Sequence, residues 1–121
     1  MIDHVIITVS DFEASKSFYL AALESLGYHV VMEAGQAAGL GVGGKPDFFI
    51  RQDEPVKPAV HVAFGSHDRP SVDAFHAAAM AAGGKDNGAP GLRPHYHPNY
   101  YGAFVLDPDG NNIEVVCHKE L

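Results

Sequence analysis

Apolar and polar positions alternate from the start of the chain. In IDHVIITV (2–9), Ile2, His4, Ile6 and Thr8 share one face of an extended segment, and Asp3, Val5, Ile7 and Val9 share the other. The β-branched content predicts a strand. Ser10 and Glu13 have the spacing of a capping box. Phe18, Ala22 and Leu26 then recur at helical spacing, so a helix is predicted over about 11–26, stopped by Gly27. Three extended pieces follow at 28–34, 37–43 and 47–52, and Pro55 and Pro58 mark a connection. AVHVAFG (59–65) reads as another strand. Asp68 caps a helix through about residue 82, with Pro70 in its first turn and Gly83-Gly84 at its end. The stretch 84–99 is loop-like, with room for a short strand. YYGAFVLD and NNIEVVCH close the chain as a hairpin around Asp107-Pro108-Asp109-Gly110, which has the Pro and Gly placement of a type I turn.

The pattern repeats. An offset of 57 residues lays His4 on His61, Val5 on Val62, Asp11 on Asp68, Phe18 on Phe75 and Gly27 on Gly84 without a gap. These matches cover a strand, a helix cap, a helix core face and a helix stop. They describe one unit used twice, each copy reading strand-helix-strand-strand-strand. The expected architecture is α+β in one domain over 1–121, with module one at about 1–57 and module two at about 58–121.

Three predicted strands carry an ionisable residue in an apolar setting: His4, His61 and Glu114. Each lies on the face opposite the apolar set that would pack under a helix. Taken singly, each has an ordinary reading as a half-exposed histidine or a solvent-facing carboxylate. Taken together they point to one site, because the two histidines hold equivalent places in the repeat. A buried carboxylate costs several kcal/mol unless it is compensated, and a divalent cation compensates it. Two imidazoles and one carboxylate suit Fe, Mn, Ni or Zn as a single divalent ion.

Composition narrows the function. The 121 residues carry a net charge of −7, which argues against a nucleic-acid partner. No apolar run is long enough to span a bilayer. The start, MIDHVIITVSD, lacks the basic opening of a secretory signal, and Cys117 is the sole cysteine, so a cytoplasmic protein is expected.

The segments IDHVIITVSDFEASKSFY, AVHVAF and GAFVLDPDGNNIEVV resemble the vicinal oxygen chelate superfamily, which includes glyoxalase I, extradiol dioxygenases, fosfomycin-resistance proteins and bleomycin-binding proteins. The resemblance spans nearly the whole chain, and its most specific part is the closing D-P-D-G-N-x-I-E. It implies two βαβββ modules whose curved mixed sheets form a cleft, with His4, His61 and Glu114 at the metal positions. Glyoxalase I has a fourth ligand on its fourth strand; here Phe49 stands there, which removes that ligand.

Further residues complete the expected site. HYHPNYY (95–101) reads as a loop at the mouth of a cleft, with His97, Tyr100 and Tyr101 as substrate contacts. Phe49 is a candidate wall, and Arg51 and Arg93 could meet an anionic substrate or simply face solvent. GLGVGG (39–44) matches a dinucleotide-binding spacing, but extended sequence with Pro46 follows it, so no helix N-terminus is available for a pyrophosphate. Cys117 reads as a core thiol, and His29, His67 and His76 as surface residues. The expected function is a glyoxalase-like or dioxygenase-like metal enzyme, a lyase or isomerase or a ring-cleaving oxygenase. Its small substrate is held through two oxygens, and Glu114 is the catalytic proton carrier. A homodimer is expected because open sheet edges pair or are covered. The alternative is a metal-free protein that binds a drug-like or aromatic molecule between Tyr100, Tyr101, Phe49 and Phe104.

Overall fold

The computed structural model describes residues 2–54 and 58–120. The connection marked by Pro55 falls largely on 55–57, outside the described residues, as does the expected module boundary at 57. The first half runs β1 (Val5–Val9), α1 (Phe12–Ala22), a single 3-10 turn (Glu24–Leu26), β2 (His29–Ala34), β3 (Ala37–Val42) and β4 (Lys45–Gln52). The second half runs β5 (His61–Gly65), α2 (Arg69–Ala81), β6 (Lys85–Leu92), β7 (Tyr101–Leu106) and β8 (Asn112–Cys117).

The two halves repeat one topology. The first sheet has the order β1-β4-β3-β2 and the second β5-β8-β7-β6. In each, the opening strand lies parallel to the closing one, and the other pairings are antiparallel. The architecture is α+β, two mixed four-stranded sheets with two helices.

Alternation decides which face is covered. Ile7, Val9, Phe48, Ile50, Phe64, Val105, Ile113, Val115 and Cys117 are buried against the helices. From α1 they meet Phe12, Phe18, Tyr19 and Ala22; from α2 they meet Val72, Phe75 and Ala79. A run of edge-on rings joins the halves: Tyr19 to Phe48 at 4.9 Å and Phe48 to Phe64 at 5.1 Å. The opposite faces, which carry His4 and His61, are left without a helical cover.

Three expectations change. The cap of α1 is Asp11, whose carboxylate accepts from the Ala14 N–H at 3.1 Å. Ser10 lies one residue before the cap, and its own N–H meets the Asp109 carboxylate at 3.1 Å. The helix ends at Ala22, and a 3-10 turn carries the chain to Gly27, whose φ of 84° only glycine adopts readily. The stretch expected as a loop contains β6, eight residues long. Its pairing with β7 is interrupted by two register shifts around Gly88 and Gly91, which disguise it as a loop in sequence. The GLGVGG segment is strand β3 and a turn, and β4 follows it.

The closing D-P-D-G-N segment is a structural lock. Asp107 is buried, and its oxygens accept from the Asp109 N–H at 2.9 Å, the Asn111 N–H at 2.8 Å, Asn111 Nδ2 at 2.8 Å and the Tyr19 hydroxyl at 2.5 Å. Asn111 Oδ1 in turn accepts from the Val60 N–H at 2.9 Å. The turn thereby ties together α1, the approach to β5 and the last hairpin. Burial, and then the charge of Asp107, raises the Tyr19 phenol well above its ordinary pKa.

Candidate active site

Residues paired across neighbouring strands point the same way, so register sets the membership of the site. Ala63 pairs with Glu114, and Glu114 pairs with Phe104. His61, Glu114 and Phe104 therefore share the uncovered face of the second sheet. Glu114 is only 1% exposed although it belongs to that face. A carboxylate so placed must be compensated. One oxygen, Oε1, lies 2.9 Å from His61 Nε2, and the other, Oε2, accepts the hydroxyl of Tyr100. Burial first, and then the hydrogen bond to Glu114, pushes the Tyr100 phenol up to about 12. Gly102 makes the approach possible: a Cβ there would lie 3.2 Å from Tyr100 Cε1 and 3.4 Å from Glu114 Oε2.

Aromatic rings extend from this pair toward the outside. Tyr100 meets His118 edge-on at 5.2 Å and Tyr96 at 5.0 Å, and His118 meets His97 at 5.7 Å. His97 Nδ1 accepts from the Asn99 N–H at 3.0 Å, which fixes the ring within the loop. Tyr101 is elsewhere. It pairs with Cys117 and so faces the helix side, where its hydroxyl donates to Asp73 at 2.6 Å.

The first sheet holds the other expected residues. Ile6 pairs with Phe49 and Thr8 with Arg51, so these four share the uncovered face with His4. The His4 ring packs edge-on against Phe49 at 5.4 Å, and its Nδ1 lies 2.9 Å from Asp3 Oδ1. His4 and then Lys45 hold the Asp3 carboxyl below its ordinary pKa. A carboxylate on Nδ1 orients an imidazole with Nε2 outward, as ligating histidines are oriented. Sequence reasoning missed Asp3, although its place directly before His4 was a readable signal. Arg51 lies 4.0 Å from Asp53 and is half exposed.

A cleft of about 420 Å³ runs between β1 and β5, with His4, Val5, Phe48, His61, Val62 and Phe64 in its lining. Tyr28 and Asp47 also line it, joined by a hydrogen bond of 2.8 Å. Burial and that bond raise the Tyr28 phenol.

These positions test the fit to a metal. Two ligand atoms at right angles, each ~2.1 Å from one cation, stand about 3.0 Å apart. The His61–Glu114 separation of 2.9 Å matches that spacing as well as it matches a hydrogen bond. The pair therefore fits two coordination positions, and Tyr100 supplies an outer partner to the carboxylate. His4 is not a third member in the same chain: among the described residues, no three His, Cys, Asp or Glu side chains gather closely enough to hold a metal ion. One chain thus places His61 and Glu114 together on one sheet and His4, oriented by Asp3, on the other.

Comparison with known proteins agrees with this architecture. The family model described as Glyoxalase/Bleomycin resistance protein/Dioxygenase superfamily matches residues 1–115. A glyoxalase/bleomycin resistance protein from Albidiferax ferrireducens T118 is 31% identical and superposes with a TM-score of 0.82, covering 98% of this chain and 99% of that one. A glyoxalase/bleomycin resistance protein/dioxygenase family enzyme from Burkholderia phytofirmans PsJN shares the fold at 22% identity and a TM-score of 0.75, with 97% and 98% covered. So does a lactoylglutathione lyase from Agrobacterium tumefaciens, at 18% identity and 0.69, with 97% and 92% covered. A search of curated proteins finds no match. Among the described residues, no helix is long and apolar enough to cross a membrane.

Proposed function

This chain belongs to the Glyoxalase/Bleomycin resistance protein/Dioxygenase superfamily, and from that premise we propose that it is a divalent-metal-dependent enzyme whose site is completed by a second copy. The observation that carries the reading is Glu114: a buried carboxylate, fixed by Tyr100 on one oxygen and set beside His61 at ligand spacing on the other. His61 and Glu114 of one protomer would hold the ion with His4 of its partner. The uncovered face of the first sheet supports a second copy, since Ile6 and Met32 stand 52% and 54% exposed beside Phe49.

The substrate is a small molecule with two adjacent oxygens. A bound divalent ion supplies Lewis acidity to those oxygens. When it is not holding the ion, Glu114 Oε1 would take a proton from the substrate and return it at a neighbouring atom, as isomerase and lyase chemistry requires. Tyr100 keeps the carboxylate in one orientation meanwhile. The apolar rings of Phe104 and the partner's Phe49 exclude water around the reacting atoms.

A second reading is a metal-free binder of an aromatic or drug-like molecule. What favours it is that His61 and Glu114 already satisfy one another within one chain. Metal analysis of tag-free protein separates the two. Near-stoichiometric Mn, Ni, Fe or Zn that disappears in His61→Ala supports the enzyme; no uptake after soaking in Mn(II) or Ni(II) supports the binder.

A further inference from the structure

Arg93 stands out on the uncovered face of the second sheet. It follows β6 directly, and its N–H donates to the Tyr100 carbonyl at 2.7 Å, which holds it next to the residue that grips Glu114. Its guanidinium lies over the Phe104 ring, 5.4 Å from the centroid. Phe104 is the cross-strand partner of Glu114 and lies 6.2 Å from the His61 ring. The cation, the aromatic ring, the carboxylate and the imidazole thus form one row across the sheet.

The guanidinium has a built seat. Nη1 donates to the Gly91 carbonyl and Nη2 to the Ala89 carbonyl, each at 2.9 Å. Ala89 lies where the β6–β7 pairing skips between Gly88 and Gly91, and Gly91 resumes it opposite Gly102. Gly88 leaves the space: at φ 151°, a Cβ there would meet Phe104 Cδ1 at 2.9 Å and Arg93 Nη2 at 3.1 Å. Two of the guanidinium's five N–H donors hold it in place, and the rest remain for a ligand. No carboxylate lies within ion-pair distance of Arg93 among the described residues. In a chain of net charge −7, an oriented cation with no acidic partner beside the site calls for an anion from outside.

We propose that Arg93 binds an anionic oxygen group, a carboxylate, at the end of the substrate remote from the chelated oxygens. The inference rests on the metal-site reading above and adds the substrate class: a small organic acid whose charged end lies two strands from Glu114. Two strand spacings are ~10 Å. A carboxylate three methylenes beyond a 2-oxo acid, with its own hydrogen bond to the guanidinium, spans about that distance.

The test compares 2-oxoadipate with 2-oxohexanoate, which share the chelating end and the chain length and differ in the terminal carboxylate. Titration calorimetry on protein loaded with Mn(II) is expected to show 2-oxoadipate binding about tenfold tighter. In Arg93→Gln that preference falls to about twofold or less, through weaker binding of the diacid. Arg93→Lys, which keeps the charge without the fork, retains part of it. Equal affinities in the wild type, a preference intact in Arg93→Gln, or binding of neither acid while Mn(II) binds would each overturn the assignment of Arg93. Failure to bind Mn(II) at all would remove the metal reading and this inference with it.

Discussion

Tyr100 donates its hydroxyl to Oε2 of Glu114 across the space that Gly102 leaves open. The bond links the segment before β7 to a carboxylate buried on the uncovered sheet face. It leaves Oε1 as the oxygen turned toward His61. Glu114 is therefore held by Tyr100 at one end and meets the half-exposed His61 at the other.

Replacing Tyr100 by Phe removes the donor and keeps the ring. The buried oxygen then loses a partner, which costs about 1–3 kcal/mol in urea denaturation. The loss of an outer-shell partner also weakens Mn(II) binding by about 10–100-fold. Wild-type stability together with wild-type metal affinity in Tyr100→Phe would show that the bond does neither.

The same bond sets an alkaline dependence. The folded Tyr100 phenol titrates at about 12, above the ~10 of an unfolded tyrosine. Its contribution to stability is thus complete below pH ~10 and is lost as pH rises toward 12. Urea midpoints measured from pH 9 to 11.5 should fall, and should fall less steeply in Tyr100→Phe. An identical slope in the two proteins would contradict this origin.

Tyr19→Phe separates stability from the site. The Tyr19 hydroxyl and Asp107 are buried together at 2.5 Å, remote from His61 and Glu114 in the hydrogen-bond network. Loss of about 1–3 kcal/mol is expected, with Mn(II) affinity unchanged. A large drop in metal affinity would mean that the turn lock also shapes the site.

Particular residues show how far the sequence could be read. The offset that lays His4 on His61 revealed the duplicated unit, because matching caps, stops and core positions leave a direct trace in residue type. The faces of β1, β5 and β8 followed from period-two alternation, so Glu114 and His61 could be placed together in advance. Tyr100 and Tyr101 could not be separated. They are neighbours on alternate faces, and only the pairing of Tyr101 with Cys117 decides which one turns to Glu114. The capping-box spacing pointed to Ser10, whereas Asp11 caps α1 as its repeat partner Asp68 caps α2. Strand β6 was hidden because Gly88 and Gly91 pair through a ladder that skips Ala89 and Pro90 and carries no alternation. Arg93 gained its meaning from that same irregular stretch, where the carbonyls of Ala89 and Gly91 seat its guanidinium.

The most direct measurement of the shared site is metal uptake by a mixed dimer of His4→Ala and Glu114→Ala chains. Each variant alone should bind Mn(II) poorly. If His4 joins His61 and Glu114 of its partner, the mixed dimer regenerates one intact site and binds one Mn(II) where the wild-type dimer binds two. A mixed dimer that takes up no Mn(II), although it forms, would contradict the account.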